Sequence, residues 1–168
     1  MDNFLDLAIK EAEKSFENGD YPVGAVLVID NKLVAVKNNS GESTKNYSNH
    51  AETQLILDNA KDLLVAWKQN KEIILYSTLE PCLMCLGVAT MNKISKIFYI
   101  QKDPHAGACG IDVKSLGVRY QESFPKIEYV NYSQRPKELI MEFLSNQIEK
   151  GVRVEWSKKF LELLENKS

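Results

Sequence analysis

The sequence predicts an α/β fold, a sheet with helices on both faces. Three observations predict it. Five short apolar or β-branched runs are separated by helical or polar segments. The elements follow one another as α-β-β-α-β-α-β-α-β-α, an order that covers both faces of a sheet. A histidine and a Cys-x-x-Cys pair each stand at the start of a helical segment. In such a sheet the ligand crevice lies beyond the carboxyl ends of the strands, so these two helix starts are expected to converge there.

Residues 4–16 place Phe4, Leu7, Ala8, Ala12 and Phe16 at helical spacing, and Asn18-Gly19 ends the segment. Residues 23–29 and 33–36 are β-branched runs joined through Asp30-Asn31-Lys32, which reads as a hairpin. A polar loop, residues 38–49, follows. Helix resumes at His50 and runs towards Asp58, with a second helical stretch at residues 63–67. Residues 72–77 read as a buried strand feeding into Pro81, whose missing N–H suits the first position of the helix carrying Cys82 and Cys85. Residues 96–100 read as a strand, 111–116 as a short helix and 127–130 as a strand. Pro136 opens a long helix with the stripe Leu139, Ile140, Phe143, Leu144 and Ile148, closed by Gly151. The chain divides into one domain, residues 1–150, and a tail, residues 151–168. The tail bears Trp156, Phe160, Leu161 and Leu164 and reads as an amphipathic element packing on the domain or on a second subunit.

With 168 residues, a single domain buries roughly two-thirds of its unfolded surface. Hydrophobic content of 44% and charged content of 26% suit a globular protein. Asp2, Asp6, Lys10 and Glu11 interrupt the first apolar positions, so neither a signal peptide nor a membrane span is expected there. Three cysteines argue against a secreted disulfide framework, and the cytoplasm is the expected compartment. The net charge is −2, whereas nucleic-acid-binding domains usually carry a basic excess. A polyanion would need a local patch, for which Lys93, Lys96 and Lys102 are candidates against a plain solvated rim.

The chemistry resides in His50-Ala51-Glu52 and, about thirty residues on, Pro81-Cys82-Leu83-Met84-Cys85. Two cysteines at i, i+3 share one face of a helical turn, and a helix N-terminus favours their thiolates. His50 is the natural third ligand. Three protein ligands and an open position are the catalytic zinc pattern. A closed site would need His105 as the fourth ligand, but His105 stands alone in a loop. A redox pair would leave His50 and Glu52 unexplained. Zinc lowers the pKa of water from about 15.7 to about 7. Glu52, two residues from His50, is placed to take that proton without occupying the metal. This order of residues is the signature of zinc deaminases, so hydrolytic removal of an amino group from a nucleobase is expected.

These motifs resemble the cytidine-deaminase-like superfamily over roughly residues 4–146. Pro22-Val23-Gly24-Ala25-Val26-Leu27-Val28 looks like the first strand of bacterial tRNA wobble-adenosine deaminases, and Thr78-Leu79-Glu80-Pro81-Cys82-Leu83-Met84-Cys85 is similar to their cysteine motif. Bacterial guanine deaminases share the fold with other residues at both places. The resemblance implies a three-layer α/β/α architecture around a mixed five-stranded sheet, one zinc ion per subunit and a homodimer. It also implies substrate contacts from Asn39, the Ala51 backbone amide and Asp103, with Gly107-Ala108 matching a following Gly-Ala segment. The sequence departs from the family at Asn46-Tyr47-Ser48-Asn49 and at Pro104-His105-Ala106, and its C-terminal region is mixed in charge rather than basic. Tyr47 and His105 are candidates to stack on a base or simply surface rings, whereas Met84, Leu86 and Cys109 read as packing residues. Adenosine in tRNA is the expected substrate, with free guanine, cytosine or adenosine as the alternative and a zinc-stapled binding module without catalysis behind both.

Overall fold

The computed structural model describes residues 2–166. Helix α1 (Asp2–Glu17) buries Leu5, Ala8 and Ala12 on one face and stops at Gly19, whose φ of 80° a side chain would resist. Strands β1 (Gly24–Ile29) and β2 (Lys32–Asn38) form an antiparallel hairpin. Its turn residues Asp30 and Asn31 both take positive φ, 48° and 62°, as the tight turn matched to strand twist requires. Helices α2 (Ala51–Asp58) and α3 (Ala60–Lys68) lead to β3 (Ile73–Leu79). Then come α4 (Leu83–Met91), β4 (Lys96–Gln101), a 3-10 turn (Val113–Ser115), α5 (Val118–Ser123), β5 (Lys126–Tyr129), α6 (Arg135–Glu149) and α7 (Val154–Asn166).

The strand order is β2-β1-β3-β4-β5. β1 runs antiparallel to both β2 and β3, while β3–β4 and β4–β5 are parallel, so the sheet is mixed and five-stranded as expected. Alternate residues build two cores. Val26, Val28, Ile74, Tyr76, Phe98 and Ile100 pack with Leu5 and Ala8 of α1. Ala25, Leu27, Leu75 and Ile97 pack with Ala51, Leu55 and Ile56 of α2 and with Leu86 and Ala89 of α4. β3 is buried along its whole length, as a central strand covered on both faces must be. At Gly24 the α1 backbone crosses so closely that an added Cβ would lie 2.1 Å from the Ala8 carbonyl oxygen.

Two details differ from the sequence expectations, and the tail takes one of the two placements expected of it. Pro81 lies before the cysteine helix rather than in its first position, because Cys82 is the N-cap and Leu83 the first helical residue. Residues 111–116 hold only a 3-10 turn, capped by the Asp112 side chain, and the following helix, α5, went unread because it buries no residue and so carries no apolar stripe. The tail is a full helix, α7, with Phe160 and Leu164 buried in the main core, and it packs against α6. No helix among the described residues is long and apolar enough to cross a membrane.

Candidate active site

His50 is the N-cap of α2 (φ −69°, ψ 148°) and Cys82 the N-cap of α4 (φ −73°, ψ 171°). Neither side chain caps its own helix, and each is directed at the other. His50 Nδ1 lies 3.6 Å from Cys82 Sγ and 3.5 Å from Cys85 Sγ, and the two sulfurs are 3.6 Å apart. A tetrahedral zinc, with bonds of about 2.3 Å to sulfur and 2.0–2.1 Å to nitrogen, needs S···S near 3.8 Å and S···N near 3.5 Å. The triangle therefore fits one zinc ion, and His50, Cys82 and Cys85 are positioned to bind it.

The charges agree with that role. Cys82 is held down to about 4, chiefly by the hydrogen bond from Cys85 and also by that from His50. Cys85 is pushed up by the same shared proton and by burial. The hydrogen bond to Cys82 raises His50 above the ordinary imidazole range, against the opposing effect of burial. A divalent cation would displace the shared proton and leave two thiolates.

Glu52, on the first turn of α2, is only 3% exposed. Its Oε1 accepts a hydrogen bond from Ser77 Oγ at 2.9 Å, and Oε2 lies 3.6 Å from Cys85 Sγ. Burial raises its pKa, partly offset by a backbone hydrogen bond, the His50 charge and Ser77. A carboxylate kept dry beside a cation site, with its pKa raised, is suited to pick up and release protons.

His50, Glu52 and Cys82 line a cavity of about 190 Å³ together with Asn39 and Asp103. Asn39 is buried, with its Nδ2 donating to the Tyr21 carbonyl at 3.1 Å. Asp103 Oδ1 accepts from the backbone amides of His105 (2.9 Å) and Ala106 (3.0 Å), and burial raises its pKa. Ala51 is fully buried in the core and its side chain does not face the cavity; what it offers is a backbone amide in the first turn of α2. Tyr47 and His105 both stand on the cavity wall, whereas Lys93, Lys96 and Lys102 do not line it.

Two features escaped the sequence reading. Glu80 organises the loop after β4, its Oε2 accepting from Asp103 N (3.1 Å) and its Oε1 from Cys109 N (3.0 Å). Gly107 seats against that carboxylate, where an added Cβ would meet Glu80 Cδ at 2.5 Å. The sequence shows only a single carboxylate before Pro81, and both of its partners lie more than twenty positions away. The second feature is that Arg153, Trp156 and Phe160 of the C-terminal region form one wall of the cavity. Nothing in the spacing of the tail announced that.

Residues 1–101 match the cytidine and deoxycytidylate deaminase zinc-binding region. The chain belongs to this family. Within it, the chain is 38% identical over 107 residues to a tRNA-specific adenosine deaminase of Bacillus subtilis, a stretch covering 64% of this chain and 65% of that relative. It is 29% identical over 170 residues to a tRNA-specific adenosine deaminase 2 of Xenopus tropicalis, covering 95% and 97%. Among solved structures, one from a study of A-to-I editing by tRNA:A34 deaminases at the wobble position superposes with a TM-score of 0.66 at 29% identity, covering 83% of this chain and 99% of that one. A guanine deaminase of Bacillus subtilis superposes with a TM-score of 0.51 at 30% identity, covering 60% and 64%.

Proposed function

We propose that this deaminase-family protein hydrolytically deaminates adenosine at the wobble position of tRNA. The observation that carries the reading is the dry Glu52 carboxylate beside the His50, Cys82 and Cys85 triangle on the wall of one cavity. Relatives named as tRNA adenosine deaminases support the substrate. When bound, zinc supplies a Lewis acid that makes water nucleophilic near neutral pH. The remaining work falls to the chain. Glu52, oriented by Ser77, takes one proton from the attacking water and passes it to the adenine ring nitrogen as the new C–O bond forms. It then carries the second proton to the exocyclic nitrogen as the C–N bond breaks. Adenosine and water thus give inosine and ammonia. Asn39, the Ala51 amide and Asp103 would hold the base against this pair.

A free nucleobase is the second reading, favoured by the charges around the cavity: Glu42, Glu80 and Asp103 line it with Glu52, and Arg153 is already paired with Glu42. Ammonia release from free bases, nucleosides and tRNA at two salt concentrations separates the two. Turnover of tRNA that weakens steeply with salt is the expected result. Turnover of guanine or cytosine instead would overturn the substrate assignment, and full activity of Glu52→Ala would overturn the catalytic one.

The same reading places the protein in the cytoplasm with its tRNA, as a homodimer. Exposed Leu57, Leu64, Val65, Leu83 and Met91 on helices α2, α3 and α4 support the dimer, since large apolar side chains left in contact with water favour burial against a second copy. Sedimentation equilibrium should give twice the chain mass, and Leu83→Glu should lower it.

A further inference from the structure

α7 and Arg153, the residue just before it, meet the cavity at two places, and each is a loop. The first loop joins β2 to α2 and the second follows β4. At the first, the Arg153 guanidinium donates to both carboxylate oxygens of Glu42, at 2.5 and 3.3 Å, and to the Tyr47 hydroxyl at 2.7 Å. It also lies 5.2 Å from the centre of the Tyr47 ring, within cation–π range. At the second, Trp156 Nε1 donates to His105 Nε2 at 3.1 Å, and the His105 ring stacks on Phe160 at 5.1 Å.

Each pinned loop carries one of the substrate candidates at its root. Asn39 begins the first, and Asp103 is the second residue of the second, tied to His105 by the backbone hydrogen bond already described. The metal triangle and Glu52 are held differently, on the first turns of α2 and α4 and against Ser77 of β3. Binding and chemistry are therefore anchored by separate parts of the fold.

The seat beneath α7 grips without setting a direction. Phe160 and Leu164 are buried there, and the Tyr21 ring lies 6.3 Å from Phe160 and 6.4 Å from Trp156. The Ser157 and Tyr21 hydroxyls and Asp20 Oδ2 are buried without a hydrogen-bond partner. Orientation at the rim then falls to the Arg153 and Trp156 bonds, which are directional.

We propose that α7, with Arg153 at its entry, is the specificity element of the cavity, and that Arg153 and Trp156 are positioning residues that hold the two substrate-contacting loops in register. The proposal rests on the tRNA-deaminase reading. The first loop lies inside the residues matched by the family, 1–101, whereas the second loop, Arg153 and α7 lie beyond them.

The test uses the zinc-loaded full chain with Arg153→Ala, Trp156→Phe and Glu42→Gln. Trp156→Phe keeps an aromatic ring and removes only the indole donor, while Glu42→Gln breaks the first latch from the loop side and leaves α7 untouched. For a wobble-position adenosine in a synthetic anticodon-arm RNA, each should raise KM about five- to tenfold with kcat within about twofold, the range for losing one charge-assisted or buried hydrogen bond. Arg153→Lys should recover part of the loss, because charge survives and the two-pronged geometry does not. Arg153→Ala with Glu42→Gln should cost no more than either alone. A second readout needs no turnover: the Kd of the same RNA for zinc-loaded Glu52→Ala protein should weaken by the same factor when Arg153→Ala or Trp156→Phe is added. A fall in kcat at constant KM, or an unchanged Kd, would overturn the positioning role. If the parent protein neither binds nor turns over the RNA, the tRNA reading itself fails, and the inference with it.

Discussion

Replacing Glu52 by Gln separates the two burdens this side chain carries. The amide keeps the shape and an oxygen to accept from Ser77 Oγ, so what is lost is the ability to ionise. Positioned acid–base catalysis is worth about 10²–10⁴ in rate, and the proposed reaction asks one group to move two protons; kcat should therefore fall to the upper end of that range, about 10⁴-fold. Zinc content should stay at one per chain, since Glu52 lies outside the His50, Cys82 and Cys85 triangle. Stability should move the other way. Burial raises the Glu52 pKa, so between its unfolded and folded values the native state binds more protons than the unfolded state. Stability conferred at low pH is then lost as pH rises through that interval. In zinc-free protein the Gln variant lacks this loss. Its melting temperature should match the parent below the ordinary glutamate range and exceed it at pH 8, by about 2–4 °C for each kcal/mol recovered. Thermal denaturation of EDTA-treated protein from pH 4 to 8 measures it. Equal pH slopes for parent and variant, or an active variant, would refute the reasoning.

Other outcomes follow from the same geometry. In EDTA-treated protein at pH 7, Cys82, held down to about 4, should be alkylated first by iodoacetamide, whereas Cys109, pushed up to about 12 by burial and Glu80, should be slow at any neutral pH; zinc should protect Cys82, and mass mapping reads all three sites. Ser77→Ala removes the donor that orients Glu52 and the acceptor for Leu79 N, so kcat should drop about tenfold with a loss of about 1–3 kcal/mol in stability, measured by urea titration. Gly107→Ala forces a methyl into the Glu80 carboxylate and the Asp103 carbonyl, 2.6 Å away; KM should rise and stability fall by about 1–3 kcal/mol, the usual cost of overpacking.

The parts of the site that could be read from sequence are those whose geometry is local. His50 and Glu52 share one helical turn, and Cys82 and Cys85 another, so their spacing alone places them. The five strands were legible because their β-branched runs are short and bounded. The α5 helix was not, because its residues bury nothing and carry no periodic pattern. The contribution of α7 was hidden for another reason. Arg153 reaches Glu42 across 111 positions and Trp156 reaches His105 across 51, and no local pattern encodes a pairing over such separations. The tail announced its apolar stripe, Phe160 and Leu164, but gave no sign of what its polar edge would hold.

His50 and Cys82 occupy the positions where Ser, Thr, Asp or Asn ordinarily ties down the free amides of a helix start, at about 0.5–2 kcal/mol each. Here both have surrendered that service to face a common point. An ion between them would act as a rivet through the ends of α2 and α4, returning to both helices the anchorage their own residues withhold. Loss of the metal should therefore be felt first as fraying of those two ends, with the sheet behind them intact.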